Sequence, residues 1–227
     1  MNEIIRKRKS IRKYESAAMD DAGLDRVREK IESLTPLFPE VKYSVEIVDK
    51  TKWLFAANFA APHFLVFRSE KKEGGYENIG FVGQQMDLYF SENGIGSCWL
   101  GMAKPHEKGE MPYVISMAFG MPAEPLHRSL SEFNRKALSE ISEGSDERLE
   151  AARLAPSGIN TQGWFFSAAD GKIRCYRKKP AFFLAKLSCI DIGIAICHIA
   201  SESDIFRISK EPDAPERKGY AYVATVV

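Results

Sequence analysis

The stretch Ala155-Pro156-Ser157-Gly158-Ile159-Asn160-Thr161-Gln162-Gly163-Trp164 lies between a run with helical periodicity and a run of strand-forming residues. Pro156 ends the helix, because proline has no backbone N–H and disfavours helical geometry in the residue before it. The residues that follow are turn formers, which leave backbone N–H groups free beside the side-chain amides of Asn160 and Gln162. Such a loop can read the edge of a flat heterocycle through hydrogen bonds, or it can be an ordinary connection from helix to strand.

A basic segment near the start of the chain, Arg8-Lys9-Ser10-Ile11-Arg12-Lys13-Tyr14, surrounds one hydroxyl group with cations. Guanidinium groups make bidentate contacts with phosphate, and the serine hydroxyl is a further donor. The segment is therefore a candidate phosphate site. It can also be a solvated basic end or an arm that binds nucleic acid, although the formal charge of the whole chain is only +1.

Length and composition set broad bounds on the protein. Its 227 residues are enough for one large domain or two small lobes, and the 44% hydrophobic content is that of an ordinary globular protein. No C-x-x-C pair is present, which favours reduced thiols and a cytoplasmic location. The four histidines lie far apart, so the sequence predicts no metal site. Neither a signal peptide nor a membrane-spanning run is recognisable.

Hydrophobic periodicity predicts helices and strands in two groups. The first group has helices near 2–9, 21–34 and 76–93 and strands near 41–47, 62–67 and 113–119. The second has a helix that Ser145 caps, a hairpin of strands 164–168 and 173–177, a helix from Pro180 to about Ala200, and a strand at 220–227. The polar segment 123–144 is predicted to link a first lobe, 1–122, to a second lobe, 145–227.

A weak internal repeat connects the two groups. Asn78-Ile79-Gly80 in the first long helix resembles Asp191-Ile192-Gly193 in the last one, and two diverged copies of one unit would explain this. Because glycine costs up to about 1 kcal/mol inside a helix, Gly80 and Gly83 predict close packing of a backbone or a ligand. The stretch 94–101 after this helix predicts a glycine-rich turn. It is not a dinucleotide fingerprint, because Trp99 stands where the third glycine belongs.

Three separated motifs together resemble those of the nitroreductase family. In chain order they are Arg8-x-Ser10-x-Arg12 with Tyr14, similar to R-x-S-x-R-x-F/Y; Gly94-x-Gly96-Ser97-Cys98-Trp99-Leu100-Gly101, similar to G-L-G-S-C-W-L-G; and Ala151-Ala152-Arg153-Leu154-Ala155-Pro156-Ser157-x-x-Asn160-x-Gln162-x-Trp164, similar to A-R-x-A-P-S-x-x-N-x-Q-P-W. Gly163 replaces the usual proline. The A-P-S motif opens the second lobe, whereas in the family it follows the R-x-S motif within about one helix. The chain therefore resembles a single-chain subgroup in which two lobes imitate the family dimer.

The resemblance implies an α+β fold with mainly antiparallel sheets flanked by helices. It also implies an FMN-dependent enzyme that uses NAD(P)H to reduce nitroaromatic, quinone or similar electron-poor acceptors by a ping-pong hydride mechanism. The implied cofactor-binding residues are Arg8, Lys9, Ser10 and Arg12 at the ribityl phosphate, with the Arg217-Lys218 pair adding charge; Pro156, Ser157, Gly158, Asn160 and Gln162 along the ring system; and Trp99, Leu100 and Gly101 beside the flavin N5.

Several alternatives stay open at this point. A flavin enzyme of this family can carry out dehalogenation or oxygen-dependent flavin breakdown, and a flavin sensor or carrier would bind without turnover. An interaction protein with a basic arm is the option from another class. The expected partner is a small electron acceptor, without nucleic acid or membrane, and the expected assembly is a monomeric pseudo-dimer or a homodimer.

Overall fold

The computed structural model describes residues 2–53, 60–180 and 182–227. Within them the helices are α1 (Glu3–Lys7), α2 (Asp21–Glu32), α3 (Gly75–Glu92), α4 (Leu138–Ile141), α5 (Leu149–Leu154) and α6 (Phe182–Ala200), with 3-10 turns at Leu130–Glu132 and Gly158–Asn160. The strands are β1 (Tyr43–Val48), β2 (Thr51–Trp53), β3 (His63–Ser69), β4 (Gly96–Leu100), β5 (Ala103–Pro105), β6 (Tyr113–Gly120), β7 (Ser142–Glu143), β8 (Trp164–Ala169), β9 (Lys172–Lys178), β10 (Ile208–Ser209) and β11 (Tyr220–Val226).

Two sheets hold most of these strands, and both have the same antiparallel order. The first is β1-β3-β6-β4, and the second is β8-β9-β11-β10, with the short β7 added in parallel beside β8. When the four antiparallel strands of each sheet are numbered along the chain, both sheets have the order first, second, fourth, third. A long helix follows the second strand in each half. The predicted α+β fold with mainly antiparallel sheets is confirmed, and the shared order supports the proposal that the two lobes are related.

The two long helices form the centre of the molecule. α3 is buried along most of its length, and α6 is buried from Ser188 to Ile199, as expected of helices that are covered on all sides. α3 packs on strands of the first sheet, α6 packs on β8 and β9, and the two helices pack on each other. Although α6 is strongly apolar, no helix in the described ranges is long and apolar enough to cross a bilayer.

Two glycines allow the backbones of α3 and α6 to touch. A Cβ on Gly80 would lie 2.0 Å from the Ile190 carbonyl oxygen, and a Cβ on Gly193 would lie 2.0 Å from the Glu77 carbonyl oxygen. The contact is reciprocal, because each glycine meets the residue three positions before the other glycine. A Cβ on Gly83 would lie 2.2 Å from Cη2 of Trp99. The predicted close packing of a backbone is therefore confirmed at Gly80, whereas the close neighbour of Gly83 is a tryptophan side chain.

Three local expectations are corrected by the structure. The stretch predicted as a glycine-rich turn forms β4, because its backbone pairs with β6 from Gly96 to Leu100. Ser145 does not cap the helix of the second half: α5 begins at Leu149, and the Asp146 carboxylate accepts the N–H of Arg148 at 2.9 Å instead. The segment 123–144 is more than a linker, because it supplies β7 to the second sheet.

We expect Gly80→Ala to lower the free energy of unfolding by about 3 kcal/mol or more, because the added methyl group meets a backbone carbonyl that cannot move aside. Denaturant unfolding followed by circular dichroism measures the change. The matched control is Gly23→Ala on α2, where a Cβ would meet the end of the Asp20 side chain at 2.8 Å. Equal effects of the two substitutions would contradict the backbone contact.

Candidate functional site

A cleft with a volume of about 540 Å³ opens between the N-terminal segment, the segment 123–144 and the loop that follows α5. This volume is typical of small-molecule sites. The R-x-S-x-R motif and the A-P-S-x-x-N motif, which lie almost 150 residues apart in the chain, both contribute to its walls. The predicted residues that line it are Arg8, Lys9, Ser10, Arg12, Pro156, Ser157 and Asn160.

The N-terminal segment reaches the cleft because it runs as an extended chain across the fold. Arg8 makes an antiparallel bridge with His127, and Tyr14 makes another with Pro122. Between them, the N–H of Ile11 donates to the carbonyl oxygen of Ser97 at 2.8 Å, and its side chain is fully buried. Since successive side chains of an extended chain point to opposite sides, the residues on either side of Ile11 face the cleft.

Arg8 is fixed by a buried carboxylate. Its side chain is 2% exposed, and its Nε lies 2.9 Å from Oδ2 of Asp87 on α3. Besides this ion pair, Asp87 accepts hydrogen bonds from the Ser97 hydroxyl at 2.7 Å and from the Gln84 amide at 2.8 Å. At the other end, Nη2 of Arg8 donates to the Ser10 hydroxyl at 3.3 Å. The guanidinium is thus held between a buried anion and the cleft.

The same hydrogen-bond network continues into the second half of the molecule. The Gln84 amide lies 3.1 Å from Nε2 of His198 on α6, and Nδ1 of that ring lies 2.9 Å from the carbonyl oxygen of Ala151 on α5. Burial lowers the pKa of His198 to about 3, so the imidazole is neutral at physiological pH. It therefore donates from Nδ1 to Ala151 and accepts at Nε2 from Gln84. The network connects the N-terminal segment to the helix that leads into the A-P-S loop.

Two further arginines, which the sequence did not single out, come from the segment 123–144. Arg128 stacks on the Phe133 ring at 3.5 Å and donates from Nε to the carbonyl oxygen of Arg8 at 3.1 Å. Arg135 donates to Oδ1 of Asn160 at 2.8 Å. Burial, together with repulsion from Arg8, lowers the pKa of both guanidinium groups to about 10. In the sequence they look like ordinary surface cations of a polar stretch, and only the fold brings them into the cleft.

Positive charge exceeds negative charge around the cleft. The side chains of Glu124 and Glu132 line it as well, and Asp87 lies behind Arg8. Against these three carboxylates stand five cations, which leave a net charge of about +2: Arg8, Lys9, Arg12, Arg128 and Arg135. Nε of Arg135 is buried and has no hydrogen-bond partner in the described part of the chain. These features fit a phosphate-bearing ligand, because a phosphate monoester carries about −1.5 to −2 at pH 7.

The loop on the opposite wall has an unusual backbone. Ile159, Asn160 and Gln162 have φ angles of 47°, 57° and 47°, in the left-handed region. Asparagine tolerates this region, whereas a β-branched residue is strained there. Ile159 lines the cleft and is 81% exposed. Strained residues of this kind concentrate at ligand-binding positions, which makes the Ile159 side chain a candidate contact for an apolar ligand surface.

Two predicted residues of this loop do not line the cleft. Gln162 is 4% exposed and turns inward, where its Oε1 accepts the N–H of Lys136 at 2.7 Å and its own N–H donates to the Ser157 hydroxyl at 2.9 Å. Gly158 faces a second pocket behind the loop. Gln162 therefore stabilises the loop from inside, and its side chain is not part of the cleft lining.

The last two residues of β4, Trp99 and Leu100, and the following Gly101 also lie outside the cleft lining. Trp99 packs on Gly83 and donates from Nε1 to Gln84 at 3.3 Å. Leu187 of α6 lies between the end of β4 and the loop: one of its methyl groups would be 4.0 Å from a Cβ on Gly101, and another 3.3 Å from a Cβ on Gly158. The end of β4 thus approaches the loop from its other side.

Arg217 and Lys218 lie away from the cleft. Nη2 of Arg217 pairs with Glu143 of β7 at 2.5 Å, and the guanidinium stacks 3.5 Å above the Phe165 ring of β8. Lys218 is exposed. Glu143 and Phe165 hold the Arg217 guanidinium at the edge of the second sheet, and neither residue of the pair is part of the cleft lining. In residues 2–53, 60–180 and 182–227, no group of three or more His, Cys, Asp and Glu residues could hold a metal ion.

A model of the protein family described as "Putative TM nitroreductase" matches residues 1–203. The chain belongs to this family. A "putative nitroreductase" of Thermotoga maritima aligns with 20% identity and a TM-score of 0.67, covering 99% of this chain and 91% of that one. No curated protein matches the chain at a significant level.

Two shorter members of the nitroreductase fold cover a large part of the chain. A nitroreductase family protein of Clostridium difficile has 18% identity and a TM-score of 0.50, covering 65% of this chain and 99% of that one. A "Putative NADH dehydrogenase/NAD(P)H nitroreductase" of Bacteroides thetaiotaomicron has 17% identity and a TM-score of 0.51, covering 63% and 96%. Identities this low show a shared fold. The predicted membership of the nitroreductase family is confirmed.

We expect Asp87→Asn to lower the free energy of unfolding by about 3 to 5 kcal/mol, because it leaves the buried Arg8 guanidinium without its anion. Urea unfolding of the two proteins measures the difference. Asp25→Asn is the control, since Asp25 pairs with Arg28 on the exposed side of α2 and such pairs contribute little. A loss no larger than that of the control would show that Arg8 does not depend on Asp87.

Proposed function

We propose that this chain is an FMN-dependent oxidoreductase that uses NAD(P)H to reduce electron-poor acceptors such as nitroaromatics and quinones. The observation that carries the proposal is the cationic cleft shared by the segment 8–12 and the loop 156–160, in a chain of the nitroreductase family. FMN would supply the hydride transfer of a ping-pong cycle, and the protein would bind and orient it.

The phosphate of FMN would occupy the cationic end of the cleft. Ser10 and Arg12 border this end, and Arg8 is oriented toward it by Asp87. Backbone N–H groups of this segment already bind an anionic group. Those of Arg12 and Lys13 donate to the Glu124 carboxylate at 2.7 and 3.2 Å. Arg128 and Arg135 keep their charge at neutral pH, so that a phosphate dianion would offset the surplus positive charge.

The ring system of FMN would lie toward the loop 156–160. Pro156 and Ser157 form this wall, and the exposed Ile159 offers an apolar surface for a flat ring. Asn160 connects the two ends, because its amide oxygen accepts a hydrogen bond from Arg135. The contact of the β4 end with the flavin N5, which the family resemblance implies, is part of this proposal. Since one chain supplies both walls, we propose one complete site per chain.

We expect Arg12→Gln to weaken FMN binding by about 10- to 100-fold, because a hydrogen bond to a charged group contributes about 1.5 to 3 kcal/mol. Binding of riboflavin, which has no phosphate, should not change. Lys13→Gln is the matched control, since Lys13 is the exposed neighbour outside the cleft lining. Flavin fluorescence titrations give all six dissociation constants. Parallel losses for FMN and riboflavin would refute the phosphate position.

We expect the purified protein to take up FMN, to be bleached by NADH or NADPH without oxygen, and to regain its colour when a nitroaromatic or a quinone is added. Absorbance spectroscopy in an anaerobic cuvette measures each step. Protein that binds FMN but stays yellow with both nicotinamide nucleotides would instead be a sensor or carrier. Loss of FMN itself under oxygen would indicate a flavin-degrading enzyme, and failure to bind FMN would reject the whole proposal.

A further inference from the structure

One buried carboxyl group, that of Asp191, binds the loop 156–161 on the side that faces away from the cleft. Asp191 of α6 is 3% exposed, and its Oδ1 accepts the N–H of Gly158 at 2.8 Å. Its Oδ2 lies 3.3 Å from the Thr161 hydroxyl. Between these two positions, Ile159 and Asn160 form part of the cleft wall. Asp191 therefore binds the loop on both sides of the residues that form this wall.

The first half of the molecule contains the same device with a different side chain. Asn78 of α3 accepts the N–H groups of Leu37 and Phe38, at 2.7 and 3.2 Å, just after Pro36. Asn78 and Asp191 each lie two residues before one of the glycines at which α3 and α6 touch. They therefore occupy equivalent places. An amide, which cannot ionise, holds the loop after Pro36. A carboxyl group holds the loop that lines the cleft.

A neutral Asp191 can form all the hydrogen bonds of its surroundings without a shortage of donors. The Thr161 hydroxyl also lies 3.1 Å from the carbonyl oxygen of Gly158, but it has only one hydrogen to donate. A protonated Asp191 donates from Oδ2 to Thr161, which then donates to the Gly158 carbonyl, while the Gly158 N–H donates to Oδ1. Every hydrogen of this ring is used. An ionised Asp191 leaves two acceptors competing for the Thr161 hydrogen.

Asp191 forms no ion pair with any residue in the described part of the chain. On the packed elements, Glu77 of α3 is paired with Arg177 of β9 at 3.4 Å, and Arg153 of α5 is paired with Glu150 of the same helix. Other ionisable groups nearby are Lys178 on β9, which lines the same pocket, and Lys186 and Cys189 on α6; β8 has no charged residue. Lys136 also approaches the loop, where its Nζ donates to the carbonyl oxygen of Thr161 at 2.9 Å. Burial raises the pKa of Asp191 to about 7, and its hydrogen bonds offset only part of this effect.

We propose that Asp191 is a positioning residue for the flavin and that only its neutral form holds the loop in the conformation that binds the cofactor. This inference rests on the proposed function. Protonation of Asp191 and flavin binding are then thermodynamically linked, so flavin affinity falls as the pH rises through the range in which Asp191 ionises. With a pKa of about 7, the dissociation constant at pH 8 is about tenfold that at pH 6.

The test is the pH dependence of riboflavin binding, since FMN adds the ionisation of its own phosphate near pH 6. We expect a roughly tenfold weaker affinity at pH 8 than at pH 6 for the wild type, and no such change for Asp191→Asn. The asparagine amide mimics the neutral acid, because it accepts from Gly158 and donates to Thr161. Ser188→Ala, on the same helix and in the same pocket, should keep the wild-type pH dependence. Equal pH profiles for wild type and Asp191→Asn would overturn the proposal.

A measurement without flavin separates this inference from the proposed function. Hydrogen exchange of the amides 158–162, corrected for the intrinsic pH dependence, reports how firmly the loop is held. We expect lower protection at pH 8 than at pH 6 in the wild type and equal protection at both pH values in Asp191→Asn. If no flavin binds but this difference in protection appears, the proposed function is refuted, whereas the role of neutral Asp191 in holding the loop is supported. Equal protection of both proteins at both pH values would overturn the device.

Discussion

The backbone contact between α3 and α6 is the constraint on which the rest of the structure depends. Each helix belongs to one half of the chain and packs on the sheet of that half. Gly80 and Gly193 let the helices approach until a Cβ on either would touch a carbonyl oxygen of the other. This contact fixes how the two halves face each other. The cleft lies where they meet, because one wall is the N-terminal segment and the other is the loop after α5.

The cleft between the two halves has an excess of positive charge. Five cations in one cleft repel one another, and burial reduces the solvation that would otherwise stabilise them. The protein offsets part of this cost with Asp87, which neutralises Arg8 and ties it through Gln84 and His198 to the second half. The remaining positive charge is an unfavourable feature of the free protein. A phosphate-bearing ligand would remove it, which connects the fold to a function of the nitroreductase family.

The two halves hold one loop each in a similar way, and the two loops have different properties. Both loops follow a helix and a proline, and both are held by a side chain of the central helix pair at its closest point. In the first half the residues after Pro36 are buried, and an amide holds them in one state. In the second half the loop has left-handed backbone, exposes Ile159 and is held by an acid. The inference about Asp191 follows from this difference.

The sequence by itself determined the fold class, the family and those residues of the candidate site that belong to short sequence motifs. Proline and glycine end helices, alternation marks strands, and the R-x-S-x-R and A-P-S-x-x-N motifs stay recognisable because each lies within a few consecutive residues. Arg8, Ser10 and Asn160 could therefore be predicted to share a site. The sequence of β4 predicts a turn, because it is rich in glycine and serine. The stretch is a strand because its backbone pairs with β6 and Ile11 packs on Gly96.

Only the tertiary structure shows the positions of side chains that depend on contacts between distant parts of the chain. Arg128 and Arg135 look like surface cations until the segment 123–144 crosses the fold. Gln162 turns inward because Lys136 offers it a backbone N–H, and Arg217 is held elsewhere by Glu143 and Phe165. Periodicity and motif spacing carry no information about such contacts, since they join residues that are brought together by packing and by charge.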